Sequence, residues 1–99
     1  MKRISSHKIK QYLHRPDGEI DLHGLFREEA IKELEEFLVR AERLHWQSVK
    51  VITGRGLNSP GGKAIIKENV QIWLRSHNYS FKSAKSSEGG PGSLIVSLA

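Results

Sequence analysis

The sequence has no cysteine, which excludes a disulfide scaffold, a thiolate nucleophile and thiolate-held metal. Long apolar runs are missing too. None approaches the roughly 18 residues that a membrane-crossing helix needs, and no apolar leader opens the chain. The expectation is a soluble, cytoplasmic protein. Acids are scarce relative to bases, 11 against 16, for a formal net charge of +5. The shortage is uneven: residues 1–17 carry five bases and one acid, residues 18–45 four bases and eight acids, and residues 46–99 seven bases and two acids. A basic head and a basic second half therefore flank an acidic middle, a distribution that favours an anionic partner. With 99 residues, 37% of them hydrophobic, the chain is too short to build two cores, so one domain with one site is expected.

Residues 1–17 mix bases with scattered apolar side chains and end at Pro16-Asp17-Gly18, a turn signal, so they read as a basic arm preceding a domain over residues 18–99. From Glu19 to His23 polar and apolar residues alternate. That pattern predicts a strand with Ile20 and Leu22 facing the core, and Asp21 and His23 on the other face. Apolar residues at three-and-four spacing from Phe26 to Leu44 predict a helix, with Glu28 and Glu29 in its first turn. Ser48–Thr53 reads as a second strand, and strand, helix, strand implies a right-handed parallel crossover. A loop from Gly54 to Gly62 leads into a second helix over Ala64–His77, with Asn78 as its stop. Tyr79–Ala84 and Leu94–Leu98 are expected as two closing strands around a loop rich in Gly, Ser and Lys.

Three short segments carry candidate chemistry. Asp21-Leu22-His23-Gly24 lies at the carboxyl end of a predicted parallel strand, where ligands of open α/β sheets bind. The i, i+2 spacing puts a carboxylate and an imidazole on one face, able to share a scissile phosphate. Asp21 can activate water or hold a metal ion, and His23 can orient the phosphate. The plainer alternative is an Asp that caps a turn beside an ordinary half-buried His. Thr53-Gly54-Arg55-Gly56 follows the second strand. Its glycines permit backbone N–H groups to face an anion, and Arg55 can bridge two phosphate oxygens, although the segment also serves as a mere turn. It lacks the Gly-Lys-Ser/Thr ending of a P-loop and the third glycine of a dinucleotide fingerprint, so nucleotide hydrolysis is unsupported. Gly89-Gly90-Pro91-Gly92 precedes the last strand and is either a flexible connection or a place where a polynucleotide backbone approaches closely, with Lys82 and Lys85 near it.

The remaining candidates read as structural. The five histidines (His7, His14, His23, His45, His77) show no metal-ligand spacing. Trp73 is in phase with helical core positions, while Trp46, at a helix end, is open between packing and base stacking. The acidic helix face with Glu29, Glu33 and Glu36 reads as a solvated surface.

Together, Asp21-Leu22-His23-Gly24-Leu25, Val51-Ile52-Thr53-Gly54-Arg55-Gly56 and Gly89-Gly90-Pro91-Gly92 with Leu94-Ile95-Val96 resemble the ordered signatures of the Smr (small MutS-related) domain family, over roughly Glu19 to Leu98. The resemblance implies an α/β fold, an α+β two-layer sandwich of order β-α-β-α-β-β with a mixed four-stranded sheet and two helices, similar to the carboxy-terminal domain of translation initiation factor three. It also implies a nuclease that nicks DNA or cleaves RNA. Asp21 and His23 match the family's element tied to cleavage. The implied nucleic-acid contacts are Thr53, Gly54, Arg55, Gly56 and Lys63, with Gly89, Gly90 and Gly92 from the glycine-rich element. Mg²⁺ or Mn²⁺ is a candidate cofactor with Asp21 as ligand, and the expected partner of a monomer is branched, duplex or structured DNA or RNA. Two other readings stay open: a non-catalytic binding module attached to a repair, recombination or translation quality-control system, and a protein-interaction domain using the acidic helix. Phe26 departs from the family pattern, which often places Thr or another small polar residue there, able to cap the helix.

Overall fold

The computed structural model describes residues 15–54, 65–84 and 92–98. In chain order it contains β1 (Gly18–Asp21), α1 (Arg27–Arg43), β2 (Ser48–Ile52), α2 (Ile65–Ser76), β3 (Ser80–Ser83) and β4 (Ser93–Ser97). The strands form one sheet in the order β1-β2-β4-β3. β1 runs parallel to β2, and β4 is antiparallel to both β2 and β3. The last strand to form in the chain therefore lies between the second and third, and β1, β2 and β3 all point the same way. This is the mixed four-stranded sheet with two helices that the element pattern and the resemblance imply.

The strand period decides which residues meet the helices. Ile20 on β1, Val51 on β2 and Leu94 on β4 stand in register, as do Val49, Val96 and Phe81 on β2, β4 and β3. Those side chains pack against Ala30, Leu34, Phe37, Leu38 and Ala41 of α1 and Val70 and Leu74 of α2 in one core. The two helices pack against each other as well, so both cover the same face of the sheet. Along α1 the buried positions recur at three-and-four spacing, while its charged positions face solvent. Residues Glu19, Lys50, Ile95 and Lys82 form the matching row on the opposite face.

Both helices end in the same way. After α1, the N–H of His45 donates to the Glu42 carbonyl and that of Trp46 to the Ala41 carbonyl. After α2, Asn78 donates to Arg75 and Tyr79 to Leu74. This is the Schellman pattern, and it places His45 (φ 59°) and Asn78 (φ 64°) in the left-handed region usually given to glycine. The expected stop at Asn78 is thus present, with an equivalent one at His45.

Two features at this end were left open by the sequence. Trp46 is packing: its ring meets Phe37 edge-to-face at 6.1 Å between centroids, and it lies so close over Gly18 that a Cβ there would overlap the ring. Asp17 ties the start of β1 to β2. Its N–H donates to the Ser48 carbonyl (2.8 Å), and its Oδ2 accepts from the N–H groups of Gln47 (2.6 Å) and Ser48 (3.3 Å). The pairing of β1 with β2 therefore begins one residue before the strand itself. Trp73 packs against the core as expected and also stacks on His77, with centroids 3.9 Å apart.

Candidate functional site

Because β4 runs against β2, its first residue lies beside the last residue of β2, with Ser93 paired to Ile52. The carboxyl ends of β1 and β2 and the start of β4 therefore meet at one end of the sheet. The backbone ties between them are explicit. Leu22 donates to the Ile52 carbonyl (2.7 Å), holding the first segment to the second. The N–H groups of Thr53 (2.8 Å) and Gly54 (3.0 Å) both donate to the Gly92 carbonyl, holding the second to the third.

On β1 the alternation continues past the strand: Leu22 is fully buried while Asp21 and His23 are exposed. The chain then turns, with the N–H of Leu25 donating to the Leu22 carbonyl (3.2 Å) and Gly24 at φ 82°. A side chain at that φ is strained, which explains glycine at the third turn position. The turn brings the two polar side chains together. Asp21 Oδ1 lies 2.5 Å from His23 Nδ1 and also accepts the His23 N–H at 3.1 Å. Of the imidazole's two nitrogens, Nδ1 is engaged by the carboxylate. The side chain is 65% exposed, and Nε2 is the nitrogen not engaged by Asp21. The His23 hydrogen bond is the main cause that holds the Asp21 carboxyl below its ordinary value, with slight burial acting in the opposite direction. Asp21 is accordingly ionised at neutral pH.

The second segment touches the first directly. A Cβ added to Gly54 would stand 3.2 Å from His23 Cβ, and Gly54 itself has φ 80°. Thr53 is buried, its hydroxyl 3.3 Å from the carbonyl oxygens of both Gly54 and Gly92. Thr53, Gly54 and Gly92 thus lie at the same end of the sheet as Asp21 and His23. Their amides are committed, however: the N–H groups of Thr53 and Gly54 are spent on Gly92, so these residues brace the loops rather than offer donors to an anion. Arg55, Gly56, Lys63, Gly89 and Gly90 lie outside the described residues.

Beyond their mutual contact through Oδ1 and Nδ1, Asp21 keeps a second carboxylate oxygen and His23 a second ring nitrogen, both on exposed side chains. No group of three His, Cys, Asp or Glu side chains clusters among the described residues. A Mg²⁺ or Mn²⁺ ion would depend on substrate oxygens for most of its shell, a poor fit for a resident cofactor. His77 and His45 belong to the opposite end of the molecule and contribute nothing here. What the sequence pattern left unseen is the surroundings of Phe26. At the start of α1, three residues beyond His23, it is 78% exposed, and its only sequence signal is an aromatic residue at a capping position.

Comparison with known proteins agrees with this geometry. The family description "Smr domain" matches residues 20–99. NEDD4-binding protein 2 of Homo sapiens is 39% identical over 84% of this chain, which spans only 5% of that protein. Ribosome rescue factor SmrB of Vibrio cholerae is 31% identical over 97% of the chain, which spans about half (51%) of it. Among solved structures, the Smr domain of Thermus thermophilus MutS2 superposes with a TM-score of 0.72 at 28% identity, covering 83% of this chain and 98% of that one. The human small-MutS related domain gives 0.63 at 39% identity, covering 81% and 99%. Sequence, site placement and fold lead to one conclusion: the chain belongs to the Smr domain family.

Proposed function

We propose that this domain binds nucleic acid and cuts phosphodiester bonds, with His23 as the proton-transfer group and Asp21 as the carboxylate that orients it. The observation that carries the reading is the 2.5 Å contact between Asp21 Oδ1 and His23 Nδ1, at the end of the sheet where β1 and β2 finish and β4 begins. A carboxylate on Nδ1 fixes the tautomer and the ring orientation, leaving Nε2 as the nitrogen that exchanges a proton. Asp21 therefore acts through His23 and not as the base itself.

RNA suits this pair better than DNA. RNA carries its own nucleophile: Nε2 takes the proton of a 2′-hydroxyl, that oxygen bonds to phosphorus, the bond from phosphorus to the 5′-oxygen breaks, and the leaving oxygen takes a proton from the imidazolium or water. The products are a 2′,3′-cyclic phosphate and a 5′-hydroxyl. Recruitment draws on the chain's excess positive charge, most of it in residues 1–17, with Arg55, Gly56, Lys63, Gly89 and Gly90 as further contacts to nucleic acid. The name of the Vibrio relative, a ribosome rescue factor, is in keeping with an RNA substrate.

The test is cleavage of matched RNA and DNA strands, with chelator present, by wild type, His23→Ala and Asp21→Asn. Wild type is expected to cut RNA to cyclic-phosphate ends, and His23→Ala to lose on the order of 10²-fold or more while binding is retained. Cleavage that survives in His23→Ala sinks the assignment. A wild type that binds both strands and cuts neither points to the binding module. That second reading draws on one observation: Asp21 Oδ1 also accepts the His23 N–H, the bond a turn-capping Asp makes without any chemistry.

A further inference from the structure

Phe26 is the most exposed large apolar side chain among the described residues, at 78%, ahead of Ile72, Leu44 and Val39. Phe37, by contrast, is 7% exposed, and Phe81 packs against the core. A single exposed apolar side chain is ordinary on a protein surface, but this one occupies a position that is unfavourable twice over. It is the N-cap of α1, where Ser, Thr, Asp or Asn would accept a first-turn N–H. A phenyl ring has no oxygen to do so, and only the reciprocal half of a capping box remains, with the Phe26 N–H donating to Glu29 Oε1 at 3.4 Å. The position therefore forgoes its cap and leaves an aromatic ring largely exposed, outside the core cluster of the described residues. A local rule broken without structural compensation next to a site points to function.

The surroundings say which function. Three peptide units separate Phe26 from His23, a span of at most about 11 Å even if extended, and the closed Leu22–Leu25 turn shortens it. The ring thus stands within reach of the nucleotide that flanks a phosphate held at His23. Every nucleobase has a π-face, and an exposed aromatic ring binds it by stacking. Bases inside a continuous duplex are already stacked on each other, so only an unpaired base can use such a seat.

We propose that Phe26 is a stacking seat for an unpaired nucleobase beside the reacting phosphate, and that it makes the domain select single-stranded or looped nucleic acid over continuous duplex. The proposal rests on the reading of Asp21 and His23 as a phosphodiester site.

The experiment compares binding of a labelled single-stranded RNA, the same strand with abasic residues throughout, and a duplex, by wild type, Phe26→Thr and Phe26→Trp. Phe26→Thr supplies a helix cap, so it is expected to fold and to melt higher than wild type. Wild type should prefer the base-bearing strand to the abasic one by roughly tenfold, Phe26→Thr should erase that preference without weakening the abasic complex, and Phe26→Trp should keep it. An unchanged preference in Phe26→Thr, an equal loss on both strands, or wild-type binding to duplex as tight as to single strand overturns the stacking seat alone, provided that cleavage still depends on His23. Failure of wild type to bind any of the three overturns the phosphodiester reading, and this proposal with it.

Discussion

Two aspartates bracket β1, and they do opposite things. Asp17, just before the strand, uses one carboxylate oxygen to hold the N–H groups of Gln47 and Ser48, some thirty residues away in sequence. Asp21, the strand's last residue, spends its contacts on His23, two residues along. The first joins two strands of the sheet; the second joins nothing that the fold needs joined. The same contrast runs through the two ends of the molecule. At the Asp17 end both helices finish in closed caps, Trp46 lies over Gly18, and the Tyr79 hydroxyl donates to Glu42 Oε2 at 2.7 Å. At the Asp21 end an imidazole stands 65% exposed, a helix starts without a side-chain cap, and a phenyl ring faces water. One end satisfies its local groups and the other leaves them available, which is the division expected of a scaffold and a site.

The sharpest way to break that comparison is to remove each aspartate in turn. Asp21→Ala should lower cleavage on the order of 10²-fold by freeing His23 to rotate, while urea denaturation shows stability within about 0.5 kcal/mol of wild type. Asp17→Ala should do the reverse, costing about 1–2 kcal/mol by leaving two backbone donors without their charged acceptor, with cleavage per folded molecule unchanged. If the two variants behave alike, the division between the ends is wrong.

A smaller effect is expected at the C-terminus of α1. His45 holds a left-handed conformation in a position suited to glycine, so His45→Gly should raise stability by about 0.5–1 kcal/mol in the same denaturation experiment. No change in cleavage should accompany it, since the cap lies at the far end of the sheet.

An effect confined to alkaline pH, and absent at neutrality, is expected at Tyr79. Burial, and then the hydrogen bond to Glu42, push the Tyr79 hydroxyl from 10.0 up to about 12. A raised value in the folded state means that the folded protein favours the neutral phenol. That contribution is complete below pH 10 and disappears as pH rises from 10 towards 12. Ultraviolet titration should show one tyrosine ionising late, and Tyr79→Phe should lose less stability than wild type across that interval. A Tyr79 that titrates near 10 would show that this end is looser than its contacts imply.

Much of the architecture was legible in advance because it depends on local periodicity. The pattern over Phe26–Leu44 predicts a helix, and α1 runs from Arg27 to Arg43; the alternation of Glu19–His23 puts Leu22 inside and Asp21 and His23 outside, as found. Asn78 stops α2 as its residue type suggests, because a short polar side chain tolerates a positive φ. Part of the site was legible for the same reason, since i, i+2 spacing on a strand necessarily places Asp21 and His23 on one side. Its working details were not. The bond from Oδ1 to Nδ1 depends on the tight turn at Gly24, and the use of the Thr53 and Gly54 amides depends on where the Gly92 carbonyl lies. Trp46 looks the same in sequence whether it stacks on a base or on Gly18, because a ring's partner is chosen by elements distant along the chain.

The order of residues alone determined which stretches become helix and strand, which side of each faces the core, and which short segments hold an acid, an imidazole and clustered glycines. These follow from backbone geometry within a few residues and from the removal of apolar side chains from water. The tertiary structure alone decided that β4 enters between β2 and β3, that its start therefore reaches the ends of β1 and β2, and that Phe26, three residues past His23, stands 78% exposed. Those outcomes are set by pairing between residues tens of positions apart, where the competition among whole-sheet arrangements, and no local preference, selects the partner.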